Sequence, residues 1–221
     1  MKYIFFLICL FILLHTRAES LFSNHLSEVN GLPTNEVYNI HQDKKGYIWF
    51  ATENGLYRFD GSSYKAYTYP NISNKAGSYI QEDHLGRIWY MSFDGAIFYT
   101  QNDSLIPLKN ETLSSLSQII IIDDIIIYFT RNKVITFQNI LDFKIIKSIN
   151  LQQEISSIYQ DNKSVMIIGD HQAYNFDKTG NLVDTFKTLK YSFIKSLTAN
   201  QTRYVLESTA QEIYLYQIKD N

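Results

Sequence analysis

The chain of 221 residues has a single cysteine, three prolines and nine glycines, and each scarcity excludes something. The cysteine, Cys9, lies inside the first apolar run, so once that run is set aside no disulfide framework, thiol nucleophile or cysteine-based metal site remains. Little proline and glycine beside 17 tyrosines and 14 phenylalanines excludes a low-complexity or collagen-like chain and favours strands. Charge of one sign is also missing. The 20 basic and 22 acidic residues leave a net charge of −2 and form no Lys/Arg cluster, so nucleic acid is not expected as a partner.

One long hydrophobic run is present, residues 3–14. Lys2 ahead of it and Thr16-Arg17-Ala18 behind it complete the anatomy of a secretory signal over residues 1–18. A spanning helix needs roughly 20 apolar residues, more than this run supplies. Cys9 falls in the middle of the run, whereas a lipid-modified cysteine follows a finished apolar region. The mature chain, residues 19–221, is therefore expected to be exported.

A motif then repeats. Ile40, Asp43, Gly46, Ile48, Trp49 and Gly55 are followed 40 residues later by Ile80, Asp83, Gly86, Ile88, Trp89 and Gly95. A weaker copy starts at Ile158 and ends in Tyr174, Phe176 and Asp177. A period near 40 is the mark of a structural array rather than of a unique catalytic constellation. Within one period, turn chemistry separates strands at 37–42, 47–52, 56–59 and 64–67, with Asp43 to Gly46, Asn54-Gly55 and Asp60-Gly61 as the turns. Four antiparallel strands in 40 residues make one blade of an all-β propeller. Blades are expected near 37–70, 77–108, 117–149, 154–187 and 192–221, the last without its outer strand. In "SQIIIIDDIIIYFTRNKVITF" the Trp and Gly are lost, but the isoleucine runs suit strands covered on both faces, and Asp123-Asp124 takes the turn position rather than forming a catalytic carboxylate pair.

"VNGLPTNEVYNIHQDKKGYIWFATENGLYRFDG", residues 29–61, resembles the repeat of the two-component regulator propellers, the extracytoplasmic sensor region of histidine kinases and related membrane regulators. The resemblance extends over residues 21–99 and returns in phase over 154–177. It implies blades of a seven-bladed ring and a sensor of small polar ligands, oligosaccharides among them, that passes its signal through a membrane helix to an output module. No kinase motif is present, so this chain is expected to have no catalytic turnover and no cofactor. On this reading it is one piece of a longer sensor. The alternative is a five-bladed ring closed by residues 21–26. "GYIWFATENGLYRF" is also similar to the repeat of streptogramin-lyase-type propellers, which use a His and acidic residues around a metal, and a purely protein-binding propeller is a third reading.

Alternating strand direction sorts the turns onto two rims. The turns after the first strand of each blade repeat Asp and Gly and read as scaffold. The hairpins after the second strand vary, and they nominate Glu53, Asp94, Arg131 and His171 as ligand-binding residues on one rim. Asp43, Gly46, Trp49, Gly55, Asp83, Gly86, Trp89 and Gly95 are expected to be structural, the two tryptophans wedged between blades. His41, His84 and His171 share no spacing that makes a metal triad or a Ser/His/Asp set.

Overall fold

The computed structural model describes residues 26–70, 75–108, 118–129, 133–160, 164–187, 193–199, 202–208 and 213–218. The first sheet contains β1 (Val37–Gln42), β2 (Ile48–Thr52), β3 (Gly55–Phe59) and β4 (Tyr64–Tyr67), each antiparallel to the next. The pattern recurs in β5 (Gly77–Glu82), β6 (Ile88–Ser92), β7 (Ile97–Gln101) and β8 (Ser104–Pro107), and again in β9 (Ile119–Ile122), β10 (Ile125–Phe129), β11 (Val134–Asn139) and β12 (Ile145–Asn150). A fourth copy holds β13 (Ile155–Gln160), β14 (Ser164–Gly169), β15 (Gln172–Asp177) and β16 (Leu182–Lys187); the fifth sheet has three strands, β17 (Phe193–Ala199), β18 (Thr202–Ser208) and β19 (Ile213–Ile218). These are blades of a β-propeller. Among the described residues the helical element is one 3-10 turn, Glu28–Asn30, and no helix is long and apolar enough to cross a membrane. The leader expected over residues 1–18 lies outside the described residues, as does all of the expected closing strand except Leu26.

Burial follows from blades packing face to face. β14 is buried along its whole length, whereas the fourth strands β12 and β16 are almost entirely exposed. The isoleucine run of β9 shows why an unbroken apolar strand forms here. Ile119 and Ile121 pack with Trp89, Ile97 and Tyr99 of the preceding blade, while Ile120 and Ile122 pack with Ile158, Val165 and Ile167 of the following one. Successive side chains point to opposite faces, and both faces are covered.

Innermost strands of neighbouring blades are joined by side-chain amides. Asn39 Nδ2 donates to the Ser78 carbonyl at 2.8 Å. Gln81 donates to the Ile121 carbonyl at 2.8 Å and accepts from its N–H at 3.1 Å, and Gln118 accepts from the Ile158 N–H at 2.9 Å. The bonded residues are 39 or 40 apart in sequence, so the same amide bridge is rebuilt at successive blade junctions.

Two glycines separate close packing from tolerance. A Cβ on Gly77 would stand 2.3 Å from the Met91 carbonyl oxygen, which belongs to the paired strand and cannot swing away. A Cβ on Gly169 would meet the amide end of Gln153, also at 2.3 Å, and that side chain can rotate. Gly77→Ala is therefore expected to cost about 2–3 kcal/mol and Gly169→Ala less than about 1 kcal/mol. Urea unfolding of both variants checks the contrast, and equal losses would contradict it.

Candidate functional site

The repeated Asp…Gly…Ile-Trp motif is one hydrogen-bonded unit. Asp43 Oδ1 accepts the N–H groups of Lys45 (3.0 Å) and Tyr47 (2.9 Å), and its Oδ2 accepts the indole N–H of Trp49 at 2.8 Å. Asp83 does the same for Leu85 (3.0 Å), Arg87 (2.9 Å) and Trp89 (2.9 Å). Gly46 and Gly86 complete the turns at φ +88° and +78°, where a side chain is disfavoured. Each buried indole thus receives the partner that its N–H requires. In the third blade the turn shrinks to Asp123-Asp124, with Asp123 at φ 49°. These two carboxylates reach across blades, Asp124 to His84 at 3.2 Å and Asp123 to Lys178.

A guanidinium covers each Trp, but it comes from a different strand in each blade. Arg58 of β3 lies 4.4 Å from the ring centroid of Tyr47 and 5.9 Å from those of Trp49 and Tyr67. Arg87, just before β6, lies 5.4 Å from Trp89 and 5.3 Å from Tyr99. Arg58 pairs across the sheet with Trp49, and Tyr99 with Trp89; Tyr47 and Arg87 are the residues two before each Trp. Cation and aromatic have exchanged places between the repeats. Their hydrogen bonding differs. Arg87 donates from Nε to Asp83 at 2.7 Å and from Nη2 to the Ile140 carbonyl at 3.0 Å, whereas among the described residues the Nε of Arg58 is buried without a hydrogen-bond partner.

A cavity of about 290 Å³ opens beside Arg58, between the first two blades, with Asp43, Tyr47, Tyr67, Arg87 and Asp103 in its wall. Asn102 and Asp103 form the tight turn between β7 and β8, both at positive φ (48° and 62°), the geometry of a two-residue hairpin turn. Asp103 accepts from the Tyr67 hydroxyl and pairs with Lys65, each at 3.0 Å. Lys65 and then Tyr67 hold its carboxyl below the usual carboxylate range. Burial, and next the bond to Asp103, pushes the Tyr67 hydroxyl up to about 12.

This cavity lies on the rim that repetition alone assigns to scaffold. Reading for repetition masks it, because its distinguishing feature is the exchange of Tyr47 and Arg58 for Arg87 and Tyr99, which keeps composition while moving the charge. On the opposite rim, Glu53 is exposed at the β2–β3 hairpin and its N–H bonds the Glu36 carbonyl at 3.1 Å. Asp94 turns into its own hairpin and accepts from the Ser92 hydroxyl. His171 is exposed after β14, with its N–H 3.3 Å from Gln153 Oε1. Arg131 lies outside the described residues. Among the described residues no group of three or more His, Cys, Asp and Glu side chains is placed to hold a metal ion.

Comparison with known proteins agrees with this architecture. Residues 31–54 match the family model of the two component regulator propeller. No curated protein matches the sequence. Among solved structures, virginiamycin B lyase from Staphylococcus aureus superposes with a TM-score of 0.63 at 17% identity, covering 86% of this chain and 73% of that one. The extracellular domain of a protein assigned as a hybrid two-component system from B. thetaiotaomicron gives 0.60 at 15% identity, covering 86% of this chain and 30% of that domain. BamB from Moraxella catarrhalis gives 0.53 at 17% identity, over 73% of this chain and 52% of that one. At these identities the likeness concerns the fold. Residues 31–54 are a two-component regulator propeller repeat, carried by a chain that folds as successive propeller blades.

Proposed function

We propose that this chain is the ligand-sensing propeller of a two-component-type sensor on the extracytoplasmic side of the inner membrane. The observation that carries the reading is the family match over residues 31–54. The likeness to an extracellular two-component domain and the leader-like residues 1–18 support it. The ligand is a small polar solute such as an oligosaccharide, and binding biases a membrane-linked output module between two arrangements. The hairpin rim with Glu53, Asp94, Arg131 and His171 offers donors and acceptors of both signs for recognition.

The test is a thermal-shift screen of polar solutes on the full chain, followed by reporter output from the sensor carrying it. A solute present at 100 times its Kd is expected to stabilise the fold by about 2.7 kcal/mol, and the same solute should change output. Replacing Arg131 and His171 together with Ala is expected to shift the dose-response at least about tenfold while leaving the melting temperature unchanged. An unaltered dose-response in the folded double variant would remove this rim from the ligand site. The likeness to virginiamycin B lyase favours a second reading, a propeller enzyme. Turnover of quinupristin, the compound bound to an inactive form of that lyase, by the full chain would decide for it.

A further inference from the structure

We infer that the cavity between the first two blades is a binding site for a small organic carboxylate, with Arg58 as the residue that receives the carboxylate group. This site is separate from the hairpin rim, and it follows from a comparison that the protein makes within itself. Two equivalent slots each hold a Trp, a second aromatic and a guanidinium. In the second blade the slot is closed, because Arg87 is bonded to the Asp83 carboxylate and to the Ile140 carbonyl. In the first blade the corresponding aspartate, Asp43, bonds Lys45, Tyr47 and Trp49 and no guanidinium.

The other acids of the cavity wall are engaged as well. Asp103 is held by Lys65 and Tyr67, and Glu82 accepts the Lys44 N–H at 2.9 Å. Among the described residues Arg58 has aromatic faces on its flanks and the Asp103 charge near it without an ion pair, and its Nε is buried without a hydrogen-bond partner. A guanidinium presents its donors as a planar fork that matches a carboxylate, and a partly buried one gains most from such a partner. The wall carries Lys45, Arg58 and Arg87 against Asp43, Glu82 and Asp103, so its formal charges cancel. Selection is therefore for one carboxylate on a polar body rather than for a polyanion. About 290 Å³ is near the lower end of small-molecule sites, which sets the body at roughly one sugar-sized ring. The Gln101 and Asn102 side chains, also in the wall, offer amides to its hydroxyl groups.

Calorimetric titration of the full chain with glucuronate and with glucose separates the carboxylate from the ring. Glucuronate is expected to bind at one site and glucose at least about tenfold more weakly. Arg58→Lys keeps the charge but loses the fork, and is expected to weaken glucuronate about tenfold with an unchanged circular dichroism spectrum; Lys178→Gln, on the fourth blade, should bind as the parent does. Acetate is the smallest probe, and its addition should move the Arg58 Nε–H resonance in 15N NMR spectra. Equal affinity for the two sugars, full binding by Arg58→Lys, or a resonance that neither acetate nor glucuronate moves would overturn the site. A sensor that still answers neutral solutes in that case keeps the sensing function and loses only this carboxylate site.

Discussion

Asp83→Ala is expected to destabilise the propeller by about 3–5 kcal/mol, a large share of the roughly 5–15 kcal/mol typical of a folded domain. The Asp83 side chain is fully buried and its carboxylate collects four donors: two backbone N–H groups, the Arg87 guanidinium and the Trp89 indole. Its removal strands a guanidinium whose other contacts are two aromatic rings and the Ile140 carbonyl. Breaking one side of such a pair is costly because the remaining charge is uncompensated, whatever the net worth of the pair itself. Asp43→Ala should cost less, about 1–2 kcal/mol, since Asp43 is only half-buried and bonds no guanidinium. Urea midpoints at constant slope give both values. A loss below about 1 kcal/mol for Asp83→Ala would show that solvent reaches Arg87 and that the closed slot is not a structural unit.

Trp89→Ala is expected to cost about 3–5 kcal/mol by loss of apolar contact and by the cavity that it leaves. The side chain is fully buried, its ring is 5.2 Å from that of Tyr99, and it packs with Ile119, Ile121 and Ile126 of the third blade. Two blades therefore lose a shared wall at once. Because Trp89 and Asp83 share a hydrogen bond, the double variant should lose less than the sum of the single losses. If Trp89→Ala melted with the parent protein while binding of a solute disappeared, the indole would be a stacking surface for ligand instead.

The legible part of the fold was local. Alternating strands and turns every few residues are dictated by Asp and Gly at positions that demand Asx turns and positive φ, as at Asp43 and Gly46 or Asp83 and Gly86. The isoleucine strands of the third blade were readable for the same kind of reason. A run without polar alternation must be covered on both faces, and Ile119 to Ile122 are. The Trp motif was readable as a repeat, though not as a hydrogen-bonded unit, because the Asp-to-indole bond closes only once the turn is folded.

The candidate site was less legible. Variation among hairpins nominated Glu53, Asp94, Arg131 and His171, whereas the cavity beside Arg58, whose Nε lacks a hydrogen-bond partner among the described residues, lies among the repeated turns of the other rim. Recurrence of Asp43 and Asp83 hid a difference in what each carboxylate bonds, an indole alone on one Oδ2 and an indole with a guanidinium on the other.

By itself, then, the sequence determined the all-β class, the 40-residue unit and the turns at Asp43–Gly46 and Asp83–Gly86, because φ preferences and side-chain alternation act over a few residues. Only the tertiary structure decided which guanidinium is satisfied. Arg87 finds the Ile140 carbonyl 53 residues away in the next blade, whereas Arg58 meets three aromatic rings and a cavity. Hydrogen bonds between blades depend on how the sheets are set against one another, and no local pattern of residues encodes that distance.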